Sequence, residues 1–171
     1  SNDTGEATVT PATLTFTTGN WNVAQTVTVT GVDDALLDGS QLSTITVAVV
    51  DASSDDAFDL LAEQTVSVTT TDNDTAGFTI VQSGGTTSVT EAGSTDTFTV
   101  VLNAQPSSNV VISLVSNDTG EATVSPATLT FTTGNWNVAQ TVTVTGVDDA
   151  LLDGSQLSII TASVVDASSD D

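Results

Sequence analysis

The chain contains two nearly identical copies of one 56-residue segment. Residues 1–56 recur at 116–171, an offset of 115 residues, with four differences. The differing pairs are Thr10/Ser125, Thr44/Ile159, Val47/Ala162 and Ala48/Ser163. A period of 115 residues is too long for a solenoid, whose units have about 20–50 residues, and it suits one autonomous domain. The repeat therefore predicts tandem domains of one fold, and we expect the chain to be a slice of a longer array.

The two copies cover different parts of the repeat. The segment SNDTGEA follows the apolar run VVISLV in the second copy, whereas it opens the first copy. The first copy continues past residue 56 into the strand-like segment QTVSVTT, which the second copy does not reach. We therefore expect residues 1–75 to form the C-terminal part of one sandwich repeat. Residues 76–171 are expected to form the next repeat without its last strand.

Threonine alternates with apolar residues in most of the chain, as in TFTVVL, TLTFTT and TVTVTG. Period-two alternation of β-branched residues is typical of half-buried antiparallel strands, and helical periodicity is absent. Joining 76–171 to 57–75 gives the complete repeat. The expected strands are 78–90, which the pair Gly84-Gly85 can break, 95–104, 109–117, 127–133, 139–147, 156–166 and 64–71. About seven strands per repeat predict an all-β fold of tandem immunoglobulin-like antiparallel β-sandwiches.

The same alternation predicts which side chains fill the core of the sandwich. The expected inward-facing residues are Phe98, Val100, Leu102, Val110, Ile112, Leu114, Leu129, Phe131, Val142, Val144, Ile160 and Val164. Trp21 and Trp136 lie in identical Gly-Asn-Trp-Asn segments. We expect each tryptophan to cap the core, with a sugar-stacking platform as the alternative.

All charged side chains in the chain are acidic. There are 22 Asp and Glu residues and no Lys, Arg, His or Cys, so the formal charge is −22. The missing residue types exclude ordinary general bases near neutral pH, thiolates, Schiff-base amines, disulfides and zinc sites of Cys or His type. They also exclude a nucleic-acid-binding surface, and no apolar run reaches the length of a membrane span. We therefore expect neither an enzyme nor a nucleic-acid or membrane partner for this segment.

Antiparallel chain order gathers most of the acids at one end of the sandwich. The turn at 90–93, the segment 117–121, the acids after the strand 139–147 and the closing residues 72–74 all fall at this end. Without a basic partner, clustered carboxylates either take a raised pKa or bind a cation. Calcium accepts about six to eight oxygen ligands from irregular loops, so the pattern predicts calcium binding. A merely solvated acidic surface is the alternative.

Several short motifs resemble those of the Calx-beta domain. They are VTEAG at 89–93, FTVVL at 98–102, LTF at 129–131, VTV at 142–144 leading into Asp148-Asp149, and DND at 72–74. Members of this family are calcium-binding sandwiches of exchangers and of long bacterial surface proteins. The resemblance implies metal ligands at Asp33, Asp34, Asp38, Asp72, Asp74, Glu91, Asp148, Asp149 and Asp153. The segment Leu-Leu-Asp-Gly and Asn73 stand where the family has further acids, which implies fewer sites. Asp118 and Glu121 are additional candidates.

The tandem copies and the acidic end together predict a structural role. We expect an extender repeat of a long secreted, cell-surface adhesin or filament protein, with calcium at the junctions between neighbouring repeats. The absence of cysteine is common in exported bacterial repeats and agrees with an extracellular setting. One alternative is a self-assembling extracellular fibre subunit, in which identical chains join through strands or sheet edges. Another is a glycan-binding module that uses Trp136.

Overall fold

The computed structural model describes residues 1–166 and Ser169. Strands take up 38% of the residues and helical turns 4%, so the expected all-β class is confirmed. The chain forms two compact units. Unit 1 comprises 1–34 and 38–73, and unit 2 comprises 74–171 together with Ala35–Leu37. None of the described residues lies in a helix that is long and apolar enough to cross a membrane.

Unit 1 contains two small antiparallel sheets. One sheet pairs β1 (Ala7–Thr10) with β2 (Thr28–Gly31), and the other pairs β3 (Gln41–Val47) with β4 (Gln64–Thr70). The β3–β4 ladder covers the full length of both strands. A 3-10 turn at Asp51–Ser53 lies in the connection between them.

Unit 2 contains two antiparallel sheets, one of four strands and one of three. Its strands are β5 (Phe78–Gln82), β6 (Thr95–Leu102), β7 (Val110–Ser116), β8 (Ala122–Ser125), β9 (Thr128–Phe131), β10 (Gln140–Gly146) and β11 (Ile160–Val164). The strand order is β5-β6-β10-β8 in the larger sheet and β11-β7-β9 in the smaller sheet. A 3-10 turn at Ser83–Gly85 follows β5.

The core of unit 2 lies between these two sheets. Strands β6 to β10 contribute one cluster of buried apolar residues: Phe98, Val100, Leu102, Ile112, Leu114, Ala122, Leu129, Phe131, Val142 and Val144. Two antiparallel sheets that share a core are consistent with a β-sandwich. The immunoglobulin-like type of the sandwich and its tandem repetition stay predictions.

Most residues that were expected to face inward do so. Val110 and Ile160 are only partly buried against the cluster, and Val164 is 49% exposed because it lies on β11, an edge strand of the smaller sheet. Trp136 is also partly buried against the cluster, as expected for a residue that caps the core, whereas the same expectation is wrong for Trp21, which is 72% exposed.

The alternation of threonine with apolar residues predicts where the strands lie more accurately than it predicts where they begin and end. The long strand expected at 78–90 ends at Gln82, because Gly84 and Gly85 take positive φ values of 62° and 85°. Strand β8 is absent from the sequence-based set because its four residues are too few to show a period. Strand β11 begins only at Ile160, so it is shorter than the expected span 156–166.

The same sequence has different burial in the two units. Phe131 is fully buried and Trp136 partly buried, whereas their counterparts Phe16 and Trp21 are 53% and 72% exposed. Unit 1, all of whose residues the structure describes, has no counterpart of β5, β6 and β7. In unit 2, β6 and β7 supply half of the buried cluster. The exposed apolar face of unit 1 therefore follows from missing covering strands and not from its own sequence.

Candidate metal site in unit 2

Three carboxylates meet at one end of unit 2. One carboxylate oxygen from each of Glu121, Asp149 and Asp153 lies within 4.8 Å of the other two. Glu121 immediately precedes β8, and the two aspartates follow β10. Because β8 and β10 are antiparallel neighbours, the start of one strand lies beside the end of the other. Carboxylate oxygens gathered in this way can hold a hard divalent cation.

Backbone hydrogen bonds position the two segments that carry these acids. The amide of Val147 donates to the carbonyl oxygen of Glu121 at 2.9 Å, next to the last pair of the β8–β10 ladder. The side chain of Asp149 accepts a 2.7 Å hydrogen bond from the amide of Leu151, which makes an Asx turn. Gly154 has a φ of 75°, a conformation that disfavours other residues and that allows the chain to turn after the last acid of the group.

The three carboxylates of this site repel one another, and no basic side chain balances their charge. The pKa of Glu121 is raised above its ordinary value of 4.5, first by burial and then by repulsion from Asp153 and Asp149. Asp118 and Glu91 add smaller repulsions. No Lys, Arg or His in the chain can offset this charge. A divalent cation would therefore remove repulsion that the protein itself has no means to neutralise.

The equivalent acids are also gathered in unit 1. The pKa of Glu6, the counterpart of Glu121, is raised by burial and then by Asp38, Asp34, Asp3 and Asp72, in that order. Asp72 follows β4, and its side chain accepts a 2.9 Å hydrogen bond from the amide of Gly39. Strand β4 thus brings one more carboxylate to this end of unit 1.

The structure assembles some of the predicted ligands and separates others. Asp149 and Asp153 belong to the group in unit 2, and Glu91 is near enough to raise the pKa of Glu121. Asp148 is exposed and lies outside the group.

A similar division holds in the first copy. Asp34, Asp38 and Asp72 raise the pKa of Glu6, whereas Asp33 is exposed and is not among the acids that do so. Asp74 belongs to unit 2, so it lies in a different unit from Asp72.

Glu121, one of the two additional candidates from the sequence, completes the group, although the ligand set implied by the Calx-beta resemblance does not contain it. Its signal in the sequence is its place directly before β8, the strand that alternation does not reveal. Once β8 is known to pair with β10, the antiparallel register places Glu121 beside the residues after Gly146. Strand pairing is therefore the information that identifies this candidate ligand.

Asp96 shows the opposite electrostatic behaviour and is not a metal candidate. Its carboxylate accepts hydrogen bonds from the amides of Ser88 at 2.8 Å and Thr97 at 2.7 Å. These bonds hold its pKa below the ordinary value of 3.8, against the opposing effect of burial. Asp96 therefore ties the segment before the Glu91 turn to β6, and it is satisfied by backbone amides without a cation.

Gly146 permits the close approach of the turn that carries Glu91. A β-carbon on Gly146 would overlap the backbone carbonyl group of Thr90. At the equivalent Gly31, the nearest atom would be the methyl group of Thr70 at 3.4 Å, an ordinary contact. The two copies therefore provide one glycine that the packing requires and one that it does not.

Gly146→Ala should lower the free energy of unfolding of unit 2 by about 1–3 kcal/mol, because backbone atoms must move to admit the added carbon. Gly31→Ala should change the stability of unit 1 by less than about 1 kcal/mol. Urea titration would measure both effects, with Trp136 as the probe of unit 2 in a Trp21→Phe background and Trp21 as the probe of unit 1. Equal effects of the two substitutions would contradict the packing argument.

The raised pKa of Glu121 predicts how metal-free unit 2 responds to pH. Above this pKa the carboxylate of Glu121 is ionised, and its charge is less favourable in the folded state than in the unfolded chain. As pH falls from neutral through the raised pKa towards 4.5, the folded state takes up the proton first, so stability should increase. Thermal midpoints in chelator at pH 7 and pH 5 would test this. Glu121→Gln should flatten the difference, whereas a wild-type midpoint that falls at pH 5 would contradict it.

Comparisons of this chain with protein-family models, curated proteins and solved structures find no match. The resemblance to the Calx-beta domain therefore rests on the short sequence motifs alone.

Proposed function

We propose that this chain is an extender segment of a long extracellular surface or filament protein, in which calcium at the acidic ends of its β-domains stabilises the array. The observation that carries the proposal is the convergence of Glu121, Asp149 and Asp153 in a chain without one basic side chain. An uncompensated acidic group destabilises the folded state, and a bound cation reverses the sign of that contribution. The acids thus make folding depend on an ion.

Calcium is the cation that suits these residues best. The donors are carboxylate oxygens on loops, with no nitrogen or sulfur ligand in the chain, which disfavours zinc and copper. Magnesium requires near-ideal octahedral geometry and gives up its water reluctantly, whereas calcium accepts irregular sets of oxygen ligands. Backbone carbonyl groups and water can complete the coordination beyond the three carboxylates.

The repeat supports a structural role for the ion. The pKa of Glu6 in unit 1 is raised by burial and by neighbouring aspartates, as that of Glu121 is in unit 2, although among the described residues only the acids of unit 2 bring their oxygens within 4.8 Å of one another. A site built on acids that recur with the repeat would act on every domain of an array. A secreted or cell-surface location is part of the proposal, because calcium sites of extracellular modules need dissociation constants of only about 10⁻⁴–10⁻³ M.

Small-angle X-ray scattering of a chain of several repeats tests the proposal. With calcium present we expect a large maximum dimension and low flexibility. Chelation should shorten and loosen the array, and calcium but not magnesium should restore it. A chain that carries Glu121→Gln and Asp149→Asn in every repeat should no longer respond to calcium or to chelation, whereas a chain that carries Asp148→Asn should respond as the wild type does. Scattering that is indifferent to chelation would rule out the stiffening role.

The glycan-binding alternative has less support from the side chain on which it depends. Trp136 packs partly buried against the core of unit 2. Its ring therefore contributes to core packing, and only part of it is available to stack on a sugar. A glycan array probed with the wild-type chain and with Trp136→Ala would decide this alternative, and an absence of bound glycan would discard it.

A further inference from the structure

A groove runs between the two sheets of unit 2. Its volume is about 990 Å³, which is at the large end of the range for ligand sites. Ile80, Phe98 and Val144 line it from the larger sheet, and Ile160 and Ala162 line it from β11 in the smaller sheet. These apolar side chains form one wall of the groove beside the outer edge of β11, and Glu91, Glu121 and Asp153 line the part of it at the acidic end of unit 2.

The outer edge of β11 has unused backbone hydrogen-bonding groups. β11 is the terminal strand of its sheet among the described residues, and β7 is its neighbour on the inner side. The carbonyl group of Ile159 accepts from Asn117, and the amide of Val165 donates to Val111, so odd-numbered residues face β7. Because backbone groups alternate along a strand, those of Ile160 and Ala162 point to the open edge.

The first copy of the repeat shows which strand covers this edge. Strand β3 corresponds to residues 156–162, and it differs from them at two positions. β3 pairs with β4 along seven residues, with Ile45 opposite Val66 and Ser43 opposite Val68. Transferred to unit 2, this register places Val66 opposite Ile160 and Val68 opposite Ser158, so the new ladder would cover 160–162 of β11 and extend the strand back over 156–159. Paired residues point to the same face, so Val66 and Val68 would both enter the apolar groove.

Strand β4 would bury more apolar surface in unit 2 than it buries in unit 1. Within unit 1, Val66 remains 54% exposed even though its backbone is paired. In the groove of unit 2, the same side chain would lie against apolar residues of the opposite sheet, where Ile80 is 43% exposed. Burial of apolar surface on both sides would therefore favour transfer of the strand.

We propose that the groove along β11 of unit 2 binds the strand Gln64–Thr70 of a second copy of this chain. The pairing is antiparallel, in the register of the β3–β4 ladder, and it completes the smaller sheet as its fourth strand. Each chain offers the groove and the strand at different places, so the contact is heterologous, and it gives a closed ring or an open filament according to the rotation between successive chains. The result is an assembly of chains joined by strand exchange, which needs no bound cation.

A peptide of residues 63–72 with a terminal fluorophore tests the site on the full chain by fluorescence anisotropy. We expect saturable binding with one peptide per chain. The peptide with Val66→Asp and Val68→Asp should bind at least about tenfold more weakly, because it carries carboxylates into the apolar part of the groove. The peptide with Thr65→Asp and Ser67→Asp has the same charge but points it to solvent, so its affinity should stay within roughly threefold. Equal loss for both peptides, or no binding of the parent peptide, would overturn the proposal.

Ala162→Pro tests the other side of the contact, which is the open edge of β11 in unit 2. It removes one outward amide, while the ladder to β7 is preserved because Ala162 lies opposite Leu114, whose amide donates to Ala127 at 2.8 Å. The thermal midpoint of this variant should lie within a few degrees of the wild-type value, and the variant should no longer bind the peptide.

Sedimentation velocity of the full chain identifies the occupant as a second copy. After heating and slow cooling, we expect oligomers that grow with concentration, and excess parent peptide or Ala162→Pro should suppress them. A chain that stays monomeric at concentrations where the peptide saturates would exclude the second copy. Both measurements are made in calcium and in chelator, so a failure of the calcium proposal leaves this one intact.

Discussion

Phe131→Ala should lower the free energy of unfolding of unit 2 by about 3–5 kcal/mol. The ring is fully buried at the centre of the cluster between the two sheets, so its removal loses apolar burial and leaves a cavity. A loss of this size is a large part of the stability of a small domain. Urea denaturation followed by the emission of Trp136, in a Trp21→Phe background, would measure it.

Phe16→Ala is the matched control, because Phe16 occupies the same position in the first copy. Its side chain is 53% exposed, so the substitution removes less buried surface and leaves no closed cavity. We expect a cost of about 1 kcal/mol or less in unit 1, followed by the emission of Trp21. Similar costs at Phe16 and Phe131 would show that unit 1 is covered in solution in a way that its own strands do not explain.

Saturating calcium should raise the thermal midpoint of unit 2 by about ten degrees. A ligand that binds the folded state alone at a hundred times its dissociation constant stabilises that state by about 2.7 kcal/mol. In a domain of this size each kcal/mol moves the midpoint by about four degrees. Differential scanning calorimetry in calcium, magnesium and chelator would measure the shift, and magnesium should produce much less of it.

The variant Asp153→Asn distinguishes between two hypotheses, a metal site and an acidic surface that is only solvated. The variant should lose most of the calcium shift, because it removes one of the three converging carboxylates. In chelator it should be more stable than the wild type, because Asp153 is the strongest source of repulsion on Glu121. Asp148→Asn removes the same charge from an exposed residue outside the group and should keep the calcium shift. If the two variants showed equal calcium shifts, or if any salt raised the wild-type midpoint as calcium does, the acids would be only a solvated surface.

The sequence by itself determined the class of structure and most of the core. Alternation of threonine with apolar residues predicts the strands, because side chains of an extended chain point alternately to its two faces. Phe98, Val100 and Phe131 were therefore identifiable as core residues without coordinates. The absence of every basic side chain, also a property of the sequence, already implies that gathered acids have no partner side chain of opposite charge within the chain.

The tertiary structure decided which of the acids meet. Asp148 and Asp149 are equivalent in any motif, yet only Asp149, which also accepts a hydrogen bond from the amide of Leu151 in the loop after β10, joins Glu121 and Asp153. Glu121 joins the group through the pairing of β8 with β10, a contact between segments that are distant in sequence. No local pattern in the sequence carries that information.

The two copies show the limit of local sequence most directly. TLTF is strand β9 at 128–131, whereas the identical residues 13–16 form no strand. Val110 to Ser113 pair with β9 in unit 2, and unit 1 has no such partner among its residues. A strand is stable only when another strand satisfies its backbone and another layer covers its apolar face. The sequence therefore specifies which residues can form strand and core, and only the presence of partner strands decides whether they do.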